Sequence, residues 1–182
     1  VTFDMSFEGY DRLRTTGVYD AMAFSPLSVP QMVGGELLWE ATRSVMYGAT
    51  FLAVLAALGL VASAWAVAVL PVLALVGLVF AEAALVVVSV ARSHEHLFYY
   101  FTLAITPMFL FSGVFFPVDQ LPGPAQLAVR ALPLFHAVEL ARALILGRLH
   151  SGLWVHAAAL AVTALVLAPL AVARFRRAVE AL

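Results

Sequence analysis

Cysteine is absent from the 182-residue chain, which excludes disulfides, thiolate metal ligands and a cysteine nucleophile. Lysine is absent as well, so all ten permanently cationic side chains are arginines. A Walker A phosphate loop needs a lysine on the β- and γ-phosphates. The chain therefore cannot hold ATP in that way, and any ATP-driven work requires a separate subunit. Charge of either sign is scarce: 12% of residues are charged, against about 25% in a soluble domain. Between Arg43 and Arg92 the only charged residue is Glu82. The formal net charge is −1 and no basic tail exists, which gives no footing for nucleic-acid binding.

What fills the chain is apolar. Hydrophobic residues make up 64% of it and the mean hydropathy is +1.00. The uncharged stretch is long enough for two membrane crossings of about 20 residues each. The pattern predicts an all-α, polytopic membrane bundle of about four crossings, at 45–64, 71–90, 97–116 and 153–173. Trp65 closes the first as an interfacial aromatic, Pro71 opens the second, and Pro107 kinks the third near 102–106. Arg174, Arg176 and Arg177 stop the fourth. Residues 117–152 are punctuated by Pro117, Pro122, Pro124 and Pro133 and read as short re-entrant or interfacial helices, with Glu139 and Arg142 at i, i+3. Four crossings put both ends on one side of the membrane. Arg12, Arg14, Arg43, Arg92, Arg174, Arg176 and Arg177 lie on that side, against Arg130, Arg142 and Arg148 on the other, so both ends are expected in the cytoplasm of a plasma-membrane protein.

Residues 8–44 form a cytoplasmic segment in this reading. Asp11, Arg12, Arg14 and Asp20 make it water-facing, and Ser25-Pro26 marks a turn. Ser28 with Gln31 fits a capping box for a helix starting near Val29. Glu36, Glu40 and Arg43 fall on one face of that helix, either as a solvated face or as a surface read by a partner. Tyr19, Met22, Phe24 and Leu27 are apolar in a polar region and need cover, from a partner or from the chain's own helices.

Glu82, in the middle of a crossing, is either a structural contact inside the bundle or a gating group. His94-Glu95-His96 lacks zinc-site spacing and reads as a polar loop. His136 and Glu139 lie three apart without a nucleophile in reach, and Ser112-Gly113 is a close-packing pair. No catalytic, metal-binding or cofactor-binding residue emerges, and the chain does not read as an enzyme.

Two stretches carry a family resemblance. One runs from Thr106-Pro107 through Ser112-Gly113 and Phe116-Pro117, on to Leu121-Pro122, Leu132-Pro133, His136 and Arg142. The other runs from Tyr19-Asp20-Ala21-Met22 through Ser25-Pro26-Leu27-Ser28 to Gly35-Glu36-Leu37-Leu38-Trp39. Both resemble the permease subunits of type 2 ABC exporters, most closely the nodulation-factor (lipo-oligosaccharide) and daunorubicin-type drug efflux permeases. The resemblance implies two permease copies, a homodimer or heterodimer, paired with ABC ATPase subunits that use ATP and Mg. It implies a coupling helix within about residues 12–40, involving Tyr19, Met22, Phe24, Leu27, Glu36 and Glu40. It makes Pro107, Gly113, Pro117, Pro122, Pro133, His136 and Arg142 the kink and outer re-entrant motif. The expected cargo is amphipathic or lipid-linked: a lipo-oligosaccharide, a polysaccharide or a drug. The family has six crossings, so Val1–Phe7 corresponds to the end of the second and the chain looks truncated at its N-terminus. A truncated or assembly subunit without transport of its own is the alternative.

Overall fold

The computed structural model describes residues 2–24 and 26–180. Ser25, half of the expected Ser25-Pro26 turn, and Val1, Ala181 and Leu182 lie outside them. Among the described residues all regular structure is helical.

Helix α1 spans Thr2–Arg14, with Asp4 in its first turn and Arg12 and Arg14 in its last. Both placements complement the helix dipole. Gly17, at φ 63°, turns the chain into the short α2, Val18–Ala23. Helix α3 covers Val29–Ala57. Its start is the predicted capping box: the backbone N–H of Ser28 donates to Gln31 Oε1 at 2.8 Å.

Helix α3 ends at Ala57, short of the expected crossing limit at residue 64. Gly59 adopts φ 71°, Leu60 N–H donates to the Leu55 carbonyl at 2.9 Å, and Gly59 N–H donates to that of Ala56 at 3.0 Å. This is a Schellman closure, which a left-handed glycine makes possible. A tight 3-10 turn at Ala64–Ala68 then leads into α4, Val69–Val90.

Helix α5, His94–Val114, is not a regular α-helix. It has π-helical stretches at Phe101–Ile105 and Leu110–Val114 on either side of Thr106–Phe109. Pro107 has no N–H to return to the preceding turn, and local widening is one way a helix absorbs that loss. The expected irregularity at 102–106 is thus a π segment. The helix stops at Val114 rather than at Phe116 because Gly113 takes φ 87°. His94, Glu95 and His96 form its first turn and not a loop.

A 3-10 turn at Val118–Gln120 precedes α6, Gly123–Arg130, and α7, Pro133–Leu146. These two make a short hairpin. Gly147, at φ 70°, caps α7. Helix α8, Leu153–Val179, runs past the expected limit at 173 and carries Arg176 and Arg177 in its last turn.

Helix α4 is the axis of the bundle and packs against α1, α3, α7 and α8. Small residues allow this. Ala81 and Ala84 are fully buried, and Gly77 lies so close to α3 that an added Cβ would stand 2.7 Å from Ser44 Cβ. Close backbone approach through small residues is how helices associate where lipid offers no hydrophobic drive. One core, including Met5, Leu13, Tyr19, Leu85, Val88 and Phe175, fills the end of the bundle that carries α2. A smaller one, Ala137, Leu140 and Leu160, fills the hairpin end.

The Ala64–Val90, His94–Val114 and Leu153–Val179 segments are long and apolar enough to cross a membrane. On α8, Val155, Val162, Leu165 and Val166 are all more than half exposed. An uncovered apolar face of that extent suits lipid and not water. Helix α3 falls outside this group because Glu36, Glu40 and Arg43 occupy its first half.

Candidate functional site

Two regions bring the singled-out residues together, one at each end of the bundle. At the α2 end, Arg12 Nη1 donates to both oxygens of Glu36, at 2.8 and 2.9 Å. The Tyr19 hydroxyl donates to Glu36 Oε1 at 2.9 Å. Tyr19 is wholly buried, with its ring edge-on to Phe175 at 4.9 Å. Burial, reinforced by the Glu36 carboxylate, pushes the Tyr19 hydroxyl well above its usual range. One carboxylate therefore joins α1, α2 and α3, and one tyrosine ring ties α2 to α8.

Arg43 organises a second cluster. It reaches Asp4 at 3.1 Å, Glu40 at 3.3 Å and Glu8 at 3.4 Å, and its guanidinium stands over the Trp39 ring at 5.5 Å. Burial raises the Glu40 carboxyl despite the opposing pull of Arg43. Glu36, Glu40 and Arg43 do share one face, as their spacing predicts, but that face is turned onto α1 and not onto solvent. Arg12 is likewise not simply water-facing. Its pairing with Glu36 across 24 residues had no local signal.

Tyr19, Glu36 and Glu40 are thus internal supports, and the exposed surface narrows to the α2–α3 connection. Phe24 is 94% exposed and Leu27 45%. Met22 and Leu27 line a cleft of about 410 Å³ with Arg12, Met32, Glu36 and Trp39. Phe24 stands apart from it.

At the hairpin end, Arg142 Nη2 donates to the Gly113 carbonyl at 2.6 Å and Nη1 to Glu139 at 3.1 Å. The left-handed Gly113 aims its carbonyl at the hairpin, so Arg142 fastens α7 to the end of α5. Pro117 and Pro122 precede the 3-10 turn and α6, and Pro133 opens α7. Proline suits these positions because its fixed φ starts a helix without wasting an N–H. Pro107, Phe111, Leu121, Leu132 and Pro133 help line an apolar cavity of about 580 Å³ beneath the hairpin.

His136 and His156 meet Nδ1 to Nδ1 at 2.8 Å, joining α7 to α8. Only one nitrogen can donate, so the other must be unprotonated. Burial, followed by the nearness of His156, lowers the His136 pKa from its ordinary value. A depressed histidine contributes stability above about pH 6.5 and loses it as pH falls. Hydrogen exchange of Pro133–Leu146, corrected for intrinsic rate, should be faster at pH 5 than at pH 7.5. His136→Gln should remove most of that difference; an unchanged difference would assign it to other groups.

Glu82 is 4% exposed within the bundle, makes no ion pair among the described residues and leaves Oε2 without a hydrogen-bond partner among them. Ser112, fully buried, returns its hydroxyl to the Phe109 carbonyl at 3.1 Å, a packing role. His94 meets Asp11 at 3.0 Å. Among the described residues no three metal-ligating side chains converge.

Three apolar spans, a buttressed polar end and a short helical hairpin define a multi-pass membrane protein. The chain belongs to the ABC-2 type transporter family, whose model matches residues 3–146. It is 38% identical over 178 residues to Nodulation protein J of Rhizobium meliloti (strain 1021), covering 97% of this chain and 67% of that protein. It is 37% identical over 146 residues to Nodulation protein J of Rhizobium leguminosarum bv. trifolii, covering 80% of this chain and 56% of that one. Nodulation protein J of Bradyrhizobium diazoefficiens is 34% identical over 176 residues, with 97% and 67% covered. The chain thus spans roughly three-fifths of the length of these relatives. No solved structure matches it significantly.

Proposed function

We propose that the chain is permease material of an ATP-driven exporter in the plasma membrane. In this reading the α2 end faces the cytoplasm, as the arginine distribution favours. The apolar second half of α3 makes a fourth crossing beside the three long spans. A second permease copy and two ABC ATPase subunits complete the machine. ATP and Mg act in the ATPases, and an amphipathic or lipid-linked molecule moves outward.

The observation that carries the reading is the exposure of Phe24 at the end of a helix that Tyr19 ties to its neighbours. Phe24, 94% exposed, and Leu27, 45% exposed, put apolar surface three residues apart in a polar region, and such surface is what an interaction site offers a partner. The elements on either side of it are held by Arg12, Tyr19, Glu36 and Phe175. A push on the α2–α3 connection would therefore pass into α1, α3 and α8 and not be lost in a loose loop.

The test uses the complete transporter with its ATPase. Phe24→Ala combined with Leu27→Ala should insert normally yet retain ATPase in pull-down about tenfold less well, as loss of an anchor residue commonly does. Hydrolysis should also become independent of substrate. Undiminished association together with normal export would remove the coupling role and leave these side chains as membrane-surface packing.

A further inference from the structure

The hairpin end holds a second cavity, of about 590 Å³, unlike the apolar one beneath it. Three guanidinium groups, Arg130, Arg142 and Arg148, line it with His150 and His156; Asp119 and Glu139 are its only carboxylates. Arg130 pairs with Asp119 at 3.4 Å, and Arg142 is held by Glu139 and the Gly113 carbonyl. Arg148 has no carboxylate in reach among the described residues. It follows the left-handed Gly147, in the short connection between α7 and α8. The first turn of α8, which carries His156, contains no acidic residue. A cavity with three guanidinium groups against two carboxylates, one of those guanidiniums unpaired among the described residues, has the chemistry of an oxyanion site.

We propose that this cavity binds a phosphate-type oxyanion, either free or as the head group of a lipid. Arg148 is its main charged contact, and Arg130, His150 and His156 stand around it. Arg130, at the end of α6, lines this cavity, and Ala125, Ala128 and Val129 of the same helix line the apolar one, so an anionic head group here would have room for its chain alongside. The site deepens the export reading, resting on it only for which side of the membrane it opens to. Its test needs no ATPase, so the two stand or fall separately.

The full chain in phosphatidylcholine nanodiscs, doped with phosphatidylglycerol, is analysed by native mass spectrometry for retained lipid. Inorganic pyrophosphate in detergent is titrated in parallel against the thermal unfolding midpoint. Wild type should retain phosphatidylglycerol about tenfold over phosphatidylcholine, or gain midpoint with pyrophosphate, or both. The first result identifies a lipid head group and the second a free oxyanion. Arg148→Gln should reduce the retained signal about tenfold and Arg148→Lys should restore part of it, whereas Arg177→Gln, at the opposite end, should change nothing. Arg148 is exposed, so these variants should fold. No preference over phosphatidylcholine together with no pyrophosphate effect, or an Arg148→Gln variant that binds like wild type, would overturn the proposal.

Discussion

Gly77→Val should be among the most damaging single substitutions in the chain, lowering stability by about 2–3 kcal/mol through overpacking. A Cβ on Gly77 would lie 2.7 Å from Ser44 Cβ, 3.1 Å from Ser44 Oγ and 3.3 Å from the Glu40 carbonyl oxygen. None of these atoms is the loose end of a side chain. Ser44 is also fixed by its hydroxyl, which donates to the Leu73 carbonyl at 2.8 Å. Helices α3 and α4 would have to separate, and their contact is central to the bundle. Gly48 provides the contrast: its added Cβ would clash only with the Cδ1 tip of Leu73, which can rotate away, and would stand at ordinary contact distance from the rest of that side chain. Thermal unfolding in detergent should rank Gly77→Val far below Gly48→Ala. Ser44→Gly should rescue part of Gly77→Ala. Equal midpoints for the two single variants would mean that the α3–α4 approach is not the constraint described.

The second large effect is expected at Glu36. Replacing it with Gln removes the charge that both Arg12 and Tyr19 hold, and should lower stability by about 2 kcal/mol. That is less than a fully buried pair would lose, because Arg12 is partly solvated. The pH dependence identifies the mechanism. The Tyr19 hydroxyl is raised by burial and by Glu36, so its contribution is complete below about pH 10 and is lost as pH rises further. Wild type should lose stability on the alkaline side more steeply than Tyr19→Phe. Glu36→Gln should lie between them, since burial remains but the carboxylate is gone. Identical alkaline limbs in all three would assign the loss to other groups.

These two sites differ in how far the sequence announced them. The capping box at Ser28 and Gln31, the end of α4 at Val90 and the start of α8 at Leu153 follow from local pattern, and the structure has them. The shared face of Glu36, Glu40 and Arg43 was also legible, since it depends only on helical spacing. What that face touches was not. Its partners, Asp4, Glu8 and Arg12, lie on another helix, and no spacing rule spans that gap. The same holds for Phe175 beneath Tyr19 and for His156 opposite His136. The limits of α3 and α5 were missed because hydropathy does not register a left-handed glycine: Gly59 and Gly113 end helices inside apolar runs that read as continuous. The cover of Tyr19, by a partner or by the chain's own helices, stayed open in the sequence for a related reason. An aromatic in a polar segment does not reveal whether its cover comes from within.

The π segments of α5 alter how its surface can be read. Each widened turn holds roughly one residue more than an α-turn, and one residue corresponds to about 100° of rotation around the axis. A wheel drawn through His94–Val114 at a constant period consequently slips out of phase once before Pro107 and again after it. The stripe of side chains meeting lipid at one end of α5 is not continued by the same letters of the repeat at the other. The helix presents three successive facets instead of one, and each must be phased from its own few residues.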